Sequence, residues 1–237
     1  MTRHLIVNAD DFGLSDGVNR GIIKTVERGI LTSASLMVRQ PAAESAAAYA
    51  RNGSGLSLGL HLDLGEWFYQ DGEWLPLYSV VSTEDATAVQ REVASQLEMF
   101  RRLVGHDPTH LDSHQHVHRQ EPVRSIVLDL AHRLHIPLRE TTPGIHYCGD
   151  FYGQDGEGAT LPDALSTQAL RHILASLPQG ITELGCHPGY GDGLATAYRN
   201  ERALEVQTLC APGVRQALQE LDIQLCSFAS LPHARSA

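Results

Sequence analysis

An α/β barrel of parallel strands is the fold class that this sequence predicts, and three observations carry the prediction. Short apolar runs alternate with amphipathic helical patterns along all 237 residues, the signature of repeated βαβ units. The composition, 42% hydrophobic and 19% charged, suits a chain that buries one large core. The apolar runs also turn into acids and imidazoles at the same end each time, as strands do when the C-terminal mouth of a barrel carries the chemistry.

The elements follow in order. "HLIVNAD" (4–10) reads as a buried strand. Ser15 is placed to cap the next helix, in which Val18, Ile22, Ile23 and Val26 fall at helical spacing and which Gly29 closes. A second strand spans 32–38, and a helix follows with Pro41 in its first turn and Gly53 beyond its end. "LSLGLHLDL" (56–64) is a third strand. Residues 85–104 carry Val89, Val93, Leu97, Phe100 and Val104 on one helical stripe. "PTHLDSHQ" (108–115) reads as a fourth strand, 122–135 as a helix and "IPLRE" (136–140) as a fifth strand. A helix at 167–177, a strand at 182–188, a helical stretch at 198–220 broken near Pro212, and a strand at 223–230 complete about seven strands. With no repeat, linker or low-complexity tract, residues 1–237 read as one domain. Two long irregular stretches, 65–84 with both tryptophans and 141–163, are of the length that lids and binding loops have.

Several function classes are disfavoured. A formal charge of −10 repels phosphate backbones, and no basic run suggests an anionic membrane surface. None of the four cysteines, Cys148, Cys186, Cys210 and Cys226, sits in a C-x-x-C pair, so free thiols are expected rather than a zinc ribbon or redox motif. The first residues lack the pattern of a signal peptide, and no apolar run is long enough to span a bilayer, so a cytoplasmic protein is expected.

The polar residues gather at strand ends. The first strand ends in Asn8, Asp10 and Asp11, and the third in His61 and Asp63. The fourth ends in Asp112, His114, His116 and His118, the fifth in Arg139 and Glu140, and the sixth in Cys186, His187 and Pro188. Strand alternation puts Asn8 with Asp10, and Asp112 with His114 and His116. Asp11 faces away unless "DFG" bends the chain and returns it to the centre. One carboxylate and two imidazoles suit a divalent ion with open positions, which acidifies bound water for a neighbouring carboxylate to deprotonate. The histidines at 110, 114, 116 and 118 cannot all bind one ion, so some must orient ligands or face solvent. His4, His106, His132, His135, His146, His172 and His233 lack such context and read as structural or surface residues.

"NADDFGLSDGVNRGI", "GLHLDL", "THLDSHQHVH" and "CHPG", in this order between residue 3 and about 230, resemble the YdjC-like carbohydrate deacetylases. That family includes bacterial chitooligosaccharide deacetylases and a deacetylase associated with hopanoid biosynthesis. The resemblance implies a distorted (β/α) barrel similar to the NodB-type polysaccharide deacetylases. It also implies one divalent metal ion, Mg or Zn, a small-molecule acetylated aminosugar substrate, and frequent homodimers. The reaction implied is hydrolysis of an N-acetyl group, a C–N bond other than a peptide bond. Carried over by position, Asp11, His61 and His114 match the metal ligands, Asp10 the general base and His187 the group acting on the leaving amine, with Asp10 and Asp11 exchangeable. Asp112 is placed to orient a histidine, and Arg139 to keep the base ionised. Trp67, Phe151 and Tyr152 in the long loops offer flat faces for a sugar ring. The alternatives are another metal-dependent hydrolase, of a phosphoester or cyclic amide, or a metal-binding protein without catalysis.

Overall fold

A computed structural model describes residues 2–191 and 193–231, so the reading of His233 lies outside the described residues. Its frame is a curled, seven-stranded parallel sheet. The strands are β1 (Arg3–Phe12), β2 (Ser33–Leu36), β3 (Ser57–Leu62), β6 (Leu111–Ser113), β7 (Ile145–Cys148), β8 (Gly180–Cys186) and β9 (Ile223–Leu225). They run in the order β6-β3-β2-β1-β8-β7, with β9 beside the first residues of β1. Among the described residues seven α-helices pack around them: α1 (Asp16–Arg28), α2 (Ala43–Arg51), α3 (Ala86–Val104), α4 (Val123–Leu134), α5 (Thr167–Ser176), α6 (Glu201–Leu209) and α7 (Pro212–Glu220). No described helix is long and apolar enough to cross a membrane.

Strands β1, β2, β3 and β6 and the last residues of β8 are buried on both faces, yet the faces differ in chemistry. Leu5, Val7 and Ala9, with Leu58, Leu60 and Leu62, and with Leu184 and Cys186, join the apolar core shared with the helices. The alternate positions, Asn8, Asp10, Ser35, His61 and Glu183, are buried polar groups. The sheet therefore wraps a polar interior, and β1 runs up its middle.

Most elements match the expectation. Ser15 Oγ accepts the Val18 N–H (3.1 Å), Gly29 closes α1, and Pro212 opens α7 after a break from α6. Four readings are corrected. Residues 136–140 are not a strand: Pro137 has no N–H to give, Glu140 takes a positive φ of 62°, and one bridge from Leu138 to Leu111 is all that forms. The seventh strand comes instead from β7, inside the stretch expected to be irregular. The 65–84 stretch is likewise a hairpin of β4 (Gly65–Gln70) and β5 (Glu73–Ser79). Its two-residue loop, Asp71-Gly72, has both φ positive (53° and 89°), the turn that Asp-Gly favours. The last strand stops at Leu225, and Phe228–Ser230 form a single 3₁₀ turn.

One glycine in the frame is sterically required. Gly59, on β3, has the His110 ring where a Cβ would sit, 2.4 Å away, and that ring stacks on Phe228 at 3.9 Å. Thr109 Oγ1 holds the ring at Nδ1 (3.0 Å). Gly59→Ala is expected to destabilise the fold by about 1–3 kcal/mol, because the trapped ring cannot retreat. Thermal denaturation checks it, with a fall of roughly 2–4 °C expected for each kcal/mol.

Candidate metal and active site

The site forms where the polar interior opens at the C-terminal ends of the strands. Pairing of β1 with β2 slips between Ala9 and Phe12, and Asp11 sits at φ 65°, a left-handed conformation that Asp tolerates better than most residues. This bulge lets consecutive aspartates face the same centre. The bend is fixed by the Leu14 N–H on the Asp11 carbonyl (3.0 Å) and by the Gly13 N–H on Asn19 Oδ1 (2.7 Å). His61 and Asp112 are register partners on β3 and β6, and His114 starts the 3₁₀ turn that follows β6.

Three side chains converge. Asp11 Oδ1 lies 3.0 Å from His114 Nδ1 and 3.3 Å from His61 Nε2, all buried. His61 Nδ1 is bonded to Asp112 Oδ1 at 2.7 Å, an orienting carboxylate of the kind that stands behind metal-bound imidazoles. That leaves His61 Nε2 buried without a hydrogen-bond partner, and His114 Nε2 is likewise unbonded, 3.5 Å from Glu66 Oε2. One donor atom from each of Asp11, His61 and His114 lies within 4.8 Å of the others. Orphaned buried imidazole nitrogens beside a carboxylate oxygen are a donor set that fits a divalent ion. Arg202 holds the other Asp11 oxygen at 2.6 Å.

Beside this cluster Arg139 organises the acids. Its guanidinium is fully buried and forks onto both oxygens of Asp10 (2.6 and 2.7 Å) while reaching Asp112 (2.9 Å) and Glu183 (2.7 Å). Asn8 Nδ2 adds a bond to Asp10 Oδ1 (3.0 Å). Burial works to raise the Asp10 pKa, but Arg139 prevails and holds the carboxyl below its usual range. Burial likewise opposes charge on Asp11, and Arg202 and His114 bring it well below normal. Glu183 is pushed up to about 7 because burial outweighs its Arg139 contact. His114 resists burial through Asp11 and Glu66 and rises to about 9, and Asp112 with Asp11 raises His61 well above normal.

His187 closes the far side, with Nε2 3.8 Å from Asp10 Oδ2. Its backbone N–H donates to Glu205, which also accepts the Tyr198 hydroxyl. Burial lowers the His187 pKa to about 4, so the ring is neutral at pH 7. The cluster lies in a cavity of about 770 Å³ whose walls include Trp67, Phe68, Tyr69, Trp74, Tyr147 and Tyr152.

The YdjC-like protein family model matches residues 4–220. This chain belongs to the YdjC-like family. The carbohydrate deacetylase of Geobacillus stearothermophilus is 33% identical across 96% of this chain and 98% of its own length. The chitooligosaccharide deacetylase of Enterobacter sp. (strain 638) is also 33% identical, across 98% and 100%. A solved Enterococcus faecalis V583 protein, described as a candidate cellobiose-phosphate cleavage protein, has a TM-score of 0.75 and 25% identity, covering 97% of this chain and 99% of that one. The polysaccharide deacetylase Bc1974 of Bacillus cereus has a TM-score of 0.59 at 12% identity, with 99% and 94% covered. The curled sheet is thus that of the NodB-type polysaccharide deacetylases, as the sequence resemblance implied.

In this YdjC-like site, Asp10, Asp11, His61, His114, Asp112, Arg139 and His187 come together. Asp10, His61 and Asp112 are also mutually close, but both aspartates are bonded to the Arg139 guanidinium, whose charge repels a cation there. His116 is a correction. β6 ends at Ser113, and Gln115 and His116 take left-handed φ values of 49° and 55°, so His116 leaves the face it was expected to share with Asp112 and meets Tyr147 and Glu140 instead. Phe151 borders the cavity but is 0% exposed and packs in the apolar core, so its ring is buried behind the cavity wall. Trp67 and Tyr152 are half-buried at the cavity wall, Tyr152 stacked on Tyr198 at 4.5 Å.

Four site residues were not foreseen: Glu66, Glu183, Arg202 and Glu205. Glu183 had a signal, a lone charge inside the apolar run "ITELGC". Arg202 and Glu205 lie one turn apart on α6 and reach the site only through tertiary packing.

Proposed function

We propose that this chain is a metal-dependent carbohydrate N-deacetylase, removing the N-acetyl group of an acetylated aminosugar or chitooligosaccharide-like substrate. The observation that carries the reading is the meeting of Asp11, His61 and His114 beside an Arg139-held Asp10 on the floor of an aromatic cavity. The names of the relatives from Geobacillus and Enterobacter support the substrate class.

Asp11, His61 and His114 would hold the ion. Asp11 rather than Asp10 is the ligand in this reading, because its Oδ1 faces both imidazoles while both Asp10 oxygens face Arg139. Two imidazoles and one carboxylate favour zinc over magnesium on softness. A bound ion would supply an acidified water and positive charge for the carbonyl oxygen. Asp10, kept ionised by Arg139, takes the proton of the attacking water as its oxygen bonds to the acetyl carbon. His187, neutral at rest and 3.8 Å from Asp10 Oδ2, receives that proton from Asp10, which returns to its ionised form, and delivers it to the amide nitrogen as the C–N bond breaks. A neutral imidazole is the right resting form for that relay. Trp67 and Tyr152 are assigned to the sugar faces.

The phosphoester alternative, raised by the Enterococcus protein's description, needs free cationic groups for a phosphate. Arg139 and Arg202 are already paired with carboxylates. The deciding experiment is mass-spectrometric screening of acetylated aminosugars for loss of acetyl, after chelation and after re-addition of zinc or magnesium. Acetate release that chelation abolishes and metal restores is expected; release from no acetylated sugar would reject the proposal.

Gln115 is one of the side chains that latch the hairpin to the site, and it does so through the backbone of Trp67. Gln115 Oε1 accepts the Trp67 N–H (2.9 Å), and its Nε2 donates to the Trp67 carbonyl (2.7 Å). Gln115→Ala is expected to raise KM roughly threefold to tenfold, about the worth of one net hydrogen bond. Steady-state kinetics should show kcat little changed, because Gln115 touches none of the groups assigned to chemistry; a fall in kcat alone would contradict the latch.

A further inference from the structure

The turn after β6 holds a second donor set, which the deacetylase reading leaves unused. His116, His118 and Glu140 each bring one donor atom within 4.8 Å of the others. His118 is fully buried, and Ser113 Oγ bonds both its Nδ1 (2.6 Å) and its backbone N–H (3.0 Å). The free nitrogen, Nε2, is buried with no hydrogen-bond partner. His116 has the complementary arrangement: its Nε2 is 3.4 Å from the Tyr147 hydroxyl, while Nδ1 is buried, unbonded and 3.7 Å from Glu140 Oε1. Arg119 lies 3.3 Å from the other carboxylate oxygen, Oε2, which leaves Oε1 on the His116 side. Among the described residues, the two imidazoles thus each keep a buried nitrogen with no hydrogen-bond partner, in one cluster with the Glu140 carboxylate.

We propose that His116, His118 and Glu140 form a second cation site, distinct from Asp11, His61 and His114, that takes a borderline-soft divalent ion such as zinc. Two imidazoles and a carboxylate are a zinc donor set, whereas magnesium and calcium call for oxygen ligands throughout. The Ser113 contact plays the orienting role that a metal-bound imidazole normally receives at its other nitrogen. The ion staples the 114–118 turn, which carries His114 at one end and the hairpin latch Gln115 beside it. Its role is therefore positional, and the inference stands apart from the identity of the substrate.

The test is zinc stoichiometry. The full chain is stripped with chelator, loaded with zinc, passed through gel filtration and analysed by mass spectrometry for retained metal. Two equivalents are expected in the wild type, one in Glu140→Gln, one in His118→Asn, one in His61→Ala and none in Glu140→Gln/His61→Ala. Glu140 is exposed, so its variant folds even where replacing buried His118 does not. Loss of an orienting partner alone weakens metal binding about 10–100-fold, so loss of the Glu140 ligand should exceed about 100-fold in competition with a chelator. One equivalent in the wild type, removed by His61→Ala, would overturn the second site and leave the deacetylase reading intact. Two equivalents retained in Glu140→Gln would overturn it as well. If stoichiometry follows Glu140 while no acetylated sugar is cleaved, the second site stands and the deacetylase reading falls.

Discussion

Asp10→Asn should lower kcat by between about 10² and 10⁴-fold, the span that a positioned general base commonly contributes, while the protein still retains its metal at the Asp11 cluster. The substitution removes the charge and leaves the shape. Its ligand neighbours are untouched, because Asp11 meets both imidazoles without help from Asp10. Arg139 keeps Asp112 and Glu183 as partners, so the guanidinium is not left alone. The new amide nitrogen must nevertheless face a donor, since Arg139 covers both carboxylate oxygens and Asn8 donates to one of them. A stability loss on the order of 1–3 kcal/mol is therefore expected as well, from one unsatisfied buried group. Turnover and metal content measured on the same sample separate the effects: low turnover at full metal content supports the base assignment. Turnover within tenfold of wild type would remove Asp10 from that role, and loss of metal would exchange it with Asp11.

The sequence carried much of this site because the ligands sit on strands whose period is two. In "SLGLHL" the leucines alternate with Ser57, Gly59 and His61, and the same alternation puts Asn8 and Asp10 on one side of β1. The "DFG" bend was legible too, and the Asp11 bulge is its structural form. What was lost began where the period stopped. His116 follows a residue already in left-handed conformation, and alternation says nothing across such a turn. Residues 136–140 had the right composition for a strand but a proline where the ladder needs a donor. The hairpin was readable from Asp71-Gly72 between aromatic runs. The burial of Phe151 was not legible, because no local pattern distinguishes an aromatic exposed in a cavity from one that supports its wall from the core. Arg139 was legible as a charge partner of the base because it stands at a strand end, whereas Arg202 meets Asp11 from α6 across a sequence separation of 191, a distance over which only the folded chain can report a contact.

His61→Ala should abolish metal retention at the Asp11 cluster, and with it essentially all acetyl release, whereas Asp112→Asn should weaken metal binding only about 10–100-fold. The gradation follows from position. His61 offers an unpartnered nitrogen directly to the cluster, while Asp112 acts through it, fixing Nδ1 at 2.7 Å so that Nε2 points inward. Binding in the wild type must also displace protons. Burial is opposed by Asp11 and Glu66 at His114, whose pKa rises to about 9, and His61 is raised as well, so protons compete with a metal for the imidazole lone pairs. The sign is fixed: apparent metal affinity rises as pH climbs from 6 toward 9, and metal uptake at pH 7 releases protons into the buffer. Metal-free stability moves the other way. The charged His114 stabilises the fold fully below its unfolded pKa of about 6.5, and that contribution is lost as pH rises through 9. Calorimetric titration of zinc in buffers of different ionisation enthalpy measures the proton count directly. Uptake that releases no protons, or His61→Ala protein that keeps its full complement of zinc, would take the imidazoles out of the coordination sphere and leave the buried cluster without a chemical reason for its unsatisfied nitrogens.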